Sequence, residues 1–260
     1  MDAIAKEKKM STRKIDGSVA LVTGANRGIG RAVAEALLER GAKKVYATAR
    51  DPKALQALSD RYGARVVPLQ LDVTKADQVA AVAREASDVE LLFNNAGVAE
   101  ATQLTGASTL EQARREMEVN YFAPLTLLQG FAESLAGQNG AVVNVASIAG
   151  LTNFPFYPTY SASKAAVHSL TQGSRALLAS RGVAVFGVYP GPVDTDMAKD
   201  IQMDKTSPRD VAGAILDGVE SGTEDIFPDA FAVSFGEQFH SSPKTSEQQI
   251  AAMVSEASAA

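Results

Sequence analysis

The chain lacks cysteine and tryptophan altogether, and only two of its 260 residues are histidine. Without thiols it forms neither disulfides nor thiolate metal sites, and two histidines argue against a histidine-based centre, so we expect no metal. No apolar run reaches the roughly 18 residues of a membrane-spanning helix, which predicts no membrane partner. The net charge of −5 offers no basic surface for nucleic acid, so none is expected as a partner. The absence of cysteine also fits a reducing compartment, and a cytoplasmic location is predicted.

The composition is that of a globular protein with a large core, since 46% of the residues are hydrophobic and 21% are charged. Residues 1–14 carry lysines but no following apolar stretch, which predicts a flexible leader and not a secretory signal. Residues 15–240 are expected to form a single domain. Residues 241–260 are polar and rich in alanine, so we expect a loosely held tail or a terminal helix.

Short apolar runs alternate with segments of helical periodicity along the chain. Strands are predicted at 19–22, 44–49, 65–71, 89–93, 140–147, 183–189 and 226–231. Helices are predicted at 31–40, from 51 onward, and at 75–87, 109–133 with an interruption near Pro124, 159–180 and 208–220. Continuous apolar strands separated by helices indicate a single-domain α/β Rossmann fold, a doubly wound parallel sheet with helices on both faces.

A glycine-rich turn, Thr-Gly-Ala-Asn-Arg-Gly-Ile-Gly at 23–30, lies between the first predicted strand and the first predicted helix. Such a turn exposes the free amides and the positive dipole end of the helix, which together bind anions. Its G-x-x-x-G-x-G spacing differs from the usual G-x-G-x-x-G, and an ordinary strand-to-helix turn is the alternative. We predict a nucleotide site formed by Gly24, Asn26, Arg27, Gly28, Ile29 and Gly30.

Two arginines bear on which dinucleotide such a site would prefer. Dinucleotide sites for NAD carry an acidic residue after the second strand, but Arg50 occupies that place here. Arg27 adds a second positive charge within the glycine turn. Because arginine binds phosphate through paired hydrogen bonds, NADP(H) is predicted over NAD(H). The alternative is that both are solvated surface arginines.

Tyr160 and Lys164 stand four residues apart on a predicted helix, so their side chains share one face. A tyrosine with an ordinary pKa near ~10 is a poor acid at neutral pH, and a nearby ammonium lowers that pKa. Ser147, at the end of the fifth strand, could donate a hydrogen bond to the same substrate oxygen. An exposed pair on an ordinary helix is the alternative for an isolated motif of this kind.

Taken together, these elements resemble the short-chain dehydrogenase/reductase family in order and approximate spacing from about residue 17 to 200. The matching segments are 23–30, Asp72-Val73, Asn94-Asn95-Ala96-Gly97, Asn120, Ser147, Tyr160 to Lys164, and Pro190-Gly191-Pro192-Val193-Asp194-Thr195. The Val-Asp-Gly-Gly ending of many members is absent, and 224–229 occupies that strand instead.

The resemblance implies a role for each matching residue. Tyr160 would exchange a proton with the substrate oxygen, and Lys164 would hold the nicotinamide ribose and lower the pKa of Tyr160. Ser147 would orient the substrate carbonyl, and Asn120 would hold a water molecule that connects Lys164 to solvent. The resemblance places the cofactor against the glycine turn, Arg50, Tyr160 and Lys164, and against Asp72, Val73, Asn95, Ala96, Gly97, Pro190, Gly191, Val193 and Thr195.

The segments flanking the expected nicotinamide site are apolar and aromatic. We expect the substrate to contact Val98, Leu151, Phe154, Tyr157 and Met197, although the aromatic residues could equally serve core or subunit packing. The leading interpretation is an NADPH-dependent reductase of a hydrophobic ketone or aldehyde. The alternatives are an alcohol dehydrogenase acting oxidatively, a 3-oxoacyl-(acyl carrier) reductase, and a non-catalytic NADP-sensing regulator. A homodimer or homotetramer using the helices at 109–133 and 159–180 is implied by the resemblance.

Overall fold

The fold is built on one parallel sheet of seven strands in the order β3-β2-β1-β4-β5-β6-β7. The computed structural model describes the backbone of residues 12–259 and the side chains of residues 12–252, so most of the predicted leader lies outside it. The predicted α/β fold is confirmed. The strands are β1 Val19–Val22, β2 Lys44–Ala49, β3 Val66–Gln70, β4 Leu91–Asn94, β5 Ala141–Val145, β6 Ala184–Val188 and β7 Asp225–Ile226.

Helices cover both faces of the sheet. They are α1 Gly28–Glu39, α2 Gln56–Tyr62, α3 Ala76–Glu85, α4 Thr109–Met117, α5 Ala123–Gly137, α6 Pro158–Leu178, α7 Pro208–Ser221, α8 Ala230–Ser241 and α9 Pro243–Ala259. Within the described residues, no helix is both long and apolar enough to cross a bilayer.

Two apolar layers hold the helices to the sheet. Successive residues of β1 face opposite sides, so Ala20 and Val22 join α1 and α7 in one layer, whereas Val19 and Leu21 join α3 and α5 in the other. Because both faces are buried, the inner strands are mostly apolar along their length, as expected for a parallel sheet.

The long helical segment is interrupted just before Pro124, as predicted. A π-helical turn, Glu118–Phe122, separates α4 from α5, and the amide of Ala123 donates to the carbonyl of Glu118 five residues back. Proline has no amide hydrogen, so Pro124 cannot complete the ordinary pattern at this point. This wider turn carries Asn120 and buries its side chain.

The C-terminal part differs from the sequence prediction. The strand predicted at 226–231 is wrong in extent, because β7 ends at Ile226 and α8 begins at Ala230. Pro228 precedes Asp229, whose carboxylate accepts the amide of Ala232 and so caps α8. Beyond α8, the helix α9 buries Ile250 in an apolar cluster with Phe235. The predicted domain boundaries stay predictions.

Candidate active site

A cleft of about 1670 Å³ runs along the carboxyl ends of the strands, where doubly wound sheets bind ligands. The structure places nearly all of the predicted site residues on it. These are Gly24, Asn26, Arg27, Gly28, Ile29, Gly30, Arg50, Asp72, Val73, Asn95, Ala96, Gly97, Val98, Ser147, Phe154, Tyr157, Tyr160, Lys164, Pro190, Gly191, Val193, Thr195 and Met197. Two predicted residues, Asn120 and Leu151, do not line it.

The glycine turn leaves no room for side chains at its tightest point. A Cβ atom on Gly30 would lie 2.3 Å from both the carbonyl oxygen of Gly24 and Nδ2 of Asn95. Gly24 and Gly28 have φ of +66° and +55°, in the left-handed region that favours glycine. The turn thus needs glycine both for its backbone conformation and for its close packing against the end of β4.

Thr23 and Asn95 fasten this turn to β4, a function that the sequence analysis did not predict for either side chain. The hydroxyl oxygen of Thr23 accepts the amides of Asn95 at 2.9 Å and Ala96 at 3.0 Å. Nδ2 of Asn95 donates to the Thr23 carbonyl at 2.8 Å. Thr23 is buried, so these bonds are shielded from water and hold two walls of the cleft together.

Both predicted arginines lie at the cleft, and of the two only Arg27 forms an ion pair with another of the described residues. Nη1 of Arg27 lies 2.7 Å from a carboxylate oxygen of Asp196, and both side chains are largely exposed. Arg50 directly follows β2, and its positive charge helps to lower the pKa of Asp72. The largest cause of that lowered pKa is the hydrogen bond that the Thr74 hydroxyl donates to Asp72.

Tyr160 and Lys164 project from the first turns of α6 toward the end of β5, where Ser147 follows. Lys164 is 4% exposed, and its Nζ donates to the Val145 carbonyl at 2.7 Å. The same Nζ lies 5.7 Å from the centre of the Tyr160 ring. The three side chains that the sequence singled out are therefore neighbours at one end of the cleft.

Burial dominates the acidity of both groups. Burial raises the pKa of Tyr160 to about 12, the hydrogen bond with the Ser147 hydroxyl opposes this rise, and the charge of Glu116 adds to it. Burial also lowers the pKa of Lys164 to about 8. Tyr160 keeps part of its surface open to the cleft, yet the surrounding protein disfavours its charged form. We expected Lys164 to lower the pKa of Tyr160; in this structure burial raises that pKa instead, and the opposing effect comes from Ser147 and not from Lys164.

Asn120 lies behind the cleft, where it joins two walls of the site. Its Oδ1 accepts the amide of Val98 at 2.9 Å, and its Nδ2 donates to the Val98 carbonyl at 2.9 Å and to the Ser163 hydroxyl at 2.8 Å. The side chain thus connects the loop after β4 to α6. Its predicted contact with a water molecule stays a prediction.

Leu151 is a correction to the predicted substrate residues. It is partly buried and packs against the apolar cluster that contains Ile148 and Phe235, away from the cleft lining. A short 3₁₀ turn, Ile148–Gly150, follows Ser147 and turns the chain inward, so that the next side chain packs into the core.

Asp229 was missed, although it anchors the loop that follows β6. Its Oδ2 accepts the amide of Gly191 at 2.9 Å while Oδ1 caps α8. An aspartate three residues before the amide that it accepts is a recognisable capping pattern, but its contact with Gly191 spans 38 residues. Only the folded chain shows that contact.

A doubly wound sheet with a glycine turn and a Tyr160–Lys164 pair on the same cleft is the arrangement of a nucleotide-binding oxidoreductase. Comparison with known proteins agrees, because the family model described as short chain dehydrogenase matches residues 18–206. This chain belongs to the short-chain dehydrogenase family.

Several relatives resemble the chain over most of its length. The 3-oxoacyl-[acyl-carrier-protein] reductase FabG of Vibrio cholerae is 35% identical over 237 residues, which is 87% of this chain and 96% of that protein. A solved short chain dehydrogenase from Burkholderia cenocepacia, in complex with NADP, has a TM-score of 0.87 and 39% identity, covering 92% of this chain and 99% of that one. Another from Streptomyces avermitilis has a TM-score of 0.81 and 26% identity, covering 93% and 98%.

Proposed function

We propose that this protein is an NADPH-dependent oxidoreductase that reduces an apolar ketone or aldehyde to an alcohol. The observation that carries the proposal is the placement of Ser147, Tyr160 and Lys164 on the same cleft as the glycine turn and Arg50. The related Burkholderia cenocepacia dehydrogenase, which was solved with NADP, supports the choice of cofactor.

The residues at the cleft fit a dinucleotide that carries a 2′-phosphate on its adenosine ribose. The glycine turn and the N-terminus of α1 line the cleft, where their backbone amides would bind a pyrophosphate. Arg50 and Arg27 would bind the 2′-phosphate of the adenosine ribose. When bound, NADPH supplies the hydride of the reduction.

The protein side of the reaction is proton transfer and positioning. The Ser147 hydroxyl would hold the substrate carbonyl, and Tyr160 would give its phenolic proton to that oxygen as the alcohol forms. Tyr160 carries its proton at neutral pH, as a proton donor must, although burial raises its pKa and makes it a weaker acid than a free phenol. Lys164, fixed by the Val145 carbonyl, would hold the nicotinamide ribose.

The substrate end of the cleft is apolar and open. Phe156, Met197 and Met203 line it and are about half exposed, at 49%, 48% and 47%. Exposed apolar side chains around a cleft favour a hydrophobic substrate. Phe154 and Tyr157, which also line the cleft, would contact it.

A second candidate is reduction of a 3-oxoacyl group on an acyl carrier, because several similar relatives carry that name. The charges at the cleft disfavour an acidic carrier: Asp200 and Glu118 line it, while Arg27 is paired with Asp196 and Arg115 with Glu100. Oxidation of the corresponding alcohol is the reverse of the same chemistry.

The test is loss of NADPH absorbance with a panel of apolar ketones, aldehydes and a 3-oxoacyl thioester. We expect Tyr160→Phe to lower kcat about 100-fold or more while NADPH affinity is retained, and Tyr62→Phe, on α2, to behave as wild type. Full turnover by Tyr160→Phe would refute the assignment. NADPH binding without turnover of any carbonyl would instead favour the regulator.

We also propose a homodimer or homotetramer, in line with the resemblance. Leu110, Phe122 and Leu177 expose 61%, 45% and 77% of their surface on or beside the helices predicted to pair. Light scattering on the purified protein measures the mass directly, and a monomer would contradict the proposal.

A further inference from the structure

Glu116 is a buried carboxyl group that the proposed reaction does not use. It lies in the last turn of α4 and is 0% exposed. Its Oε1 accepts the backbone amide of Glu100 at 2.9 Å. Its Oε2 is buried and makes no hydrogen bond of ordinary geometry within the described residues. Burying a carboxyl group whose Oε2 has no well-aligned hydrogen-bond partner is costly.

The surroundings of Glu116 belong to the active site. On α6, Thr159 faces the carboxyl group, and its hydroxyl lies 3.2 Å from that of Thr102. Thr159 immediately precedes Tyr160. The segment from Val98 to Thr102 leads from β4 along the cleft, and its middle residue, Glu100, is held by Glu116. The carboxyl group therefore connects the loop beside the substrate to the turn that carries the tyrosine.

The charges that face Glu116 come from these same two elements. Burial and the neighbouring Glu100 carboxylate raise the pKa of Glu116, while the Thr159 hydroxyl and the Glu100 amide oppose that rise. Glu100 is itself paired with Arg115 at 2.7 Å. On α6 the titratable neighbour is Tyr160, whose pKa the charge of Glu116 raises. No lysine or arginine in the described part of the chain forms an ion pair with Glu116.

We propose that Glu116 is a positioning residue for the reduction, and that its protonation state governs how tightly Tyr160 holds the phenolic proton. This inference rests on the proposed function of Tyr160. With Glu116 ionised, the buried negative charge opposes formation of a phenolate. With Glu116 neutral, the phenol releases its proton to the substrate oxygen more readily.

The test replaces the charge and keeps the shape. Glu116→Gln retains an oxygen that can accept the Glu100 amide, and Glu111→Gln makes the same change at an exposed position on α4. The ionisation of Tyr160 is followed by tyrosinate absorbance, as the difference between each protein and its Tyr160→Phe counterpart, and the pH profile of kcat/KM is measured alongside.

We expect Glu116→Gln to lower the pKa of Tyr160 by about half a unit or more, as for removal of a unit charge from a buried neighbour. The alkaline limb of the reduction profile should move by the same amount, with the KM for NADPH unchanged. Glu111→Gln should leave both as in wild type. Glu116→Met, which also removes the charge, should shift Tyr160 in the same direction, and it provides the test if the glutamine variant folds poorly.

A folded Glu116→Gln with the wild-type Tyr160 titration and pH profile would overturn the inference, even if its activity were lower. Failure of the proposed function has a different signature. In that case wild type would reduce no carbonyl, while the tyrosinate titration would still report whether Glu116 acts on Tyr160.

Discussion

Lys164 should make the stability of this protein rise with pH in a window where surface lysines have no such effect. Its side chain is 4% exposed, and burial lowers its pKa from 10.5 to about 8. One pKa unit corresponds to about 1.4 kcal/mol, so the penalty for holding the ammonium in the fold is roughly 3 kcal/mol.

The direction follows from proton binding. Between pH 8 and 10.5 the unfolded chain keeps the Lys164 proton while the folded protein releases it, so the free energy of unfolding rises with pH. The penalty is complete below pH 8 and absent above pH 10.5. Tyr160 lowers the free energy of unfolding as the pH rises from 10 to about 12, because its pKa is higher in the folded protein than in the unfolded chain.

The perturbation is Lys164→Met, which keeps most of the volume and removes the titrating group. Urea unfolding at a series of pH values gives the difference in unfolding free energy between wild type and variant, from which the contribution of Tyr160 cancels. Between pH 7 and pH 10.5, we expect the free energy of unfolding of wild type to rise by roughly 3 kcal/mol relative to that of Lys164→Met. Lys53→Met, at an exposed position, is the control, and its unfolding free energy should differ from that of wild type by the same amount at every pH. A constant difference for Lys164→Met as well would refute the reasoning.

Two further substitutions test the cofactor end of the cleft. Arg50→Asp should raise the KM for NADPH by about tenfold to a hundredfold and change the KM for NADH little. Arg84→Asp, on the exposed side of α3, is the control and should change neither KM. An equal rise in both KM values for Arg50→Asp would disprove a 2′-phosphate contact. Gly30→Ala should destabilise the fold by about 1–3 kcal/mol in thermal unfolding, since the added methyl would meet Asn95 at 2.3 Å, while Gly137→Ala has open space and should be neutral or slightly stabilising. Unchanged stability for Gly30→Ala would contradict the close packing.

The parts of the site that sequence reasoning found are those whose chemistry is local. Tyr160 and Lys164 are four residues apart on one helix, and the glycine turn is a continuous segment, so spacing alone relates their members. Spacing did not show where the backbone turns between elements or which distant segments come into contact. Leu151 lies only four residues after Ser147, yet a 3₁₀ turn directs it into the core. Glu116 reads as an ordinary helical glutamate until the loop after β4 folds over it.

The order of apolar runs and helical periods determined the parallel sheet by itself, because a strand buried on both faces is apolar along most of its length. The tertiary structure alone decided the acidity of Tyr160 and Lys164, since desolvation depends on what the remainder of the chain packs around a group. It also decided the length of β7, because Asp229 caps a helix and binds the Gly191 amide across the sheet edge. Residue type and spacing are properties of the chain, whereas burial and long-range hydrogen bonds exist only once it has folded.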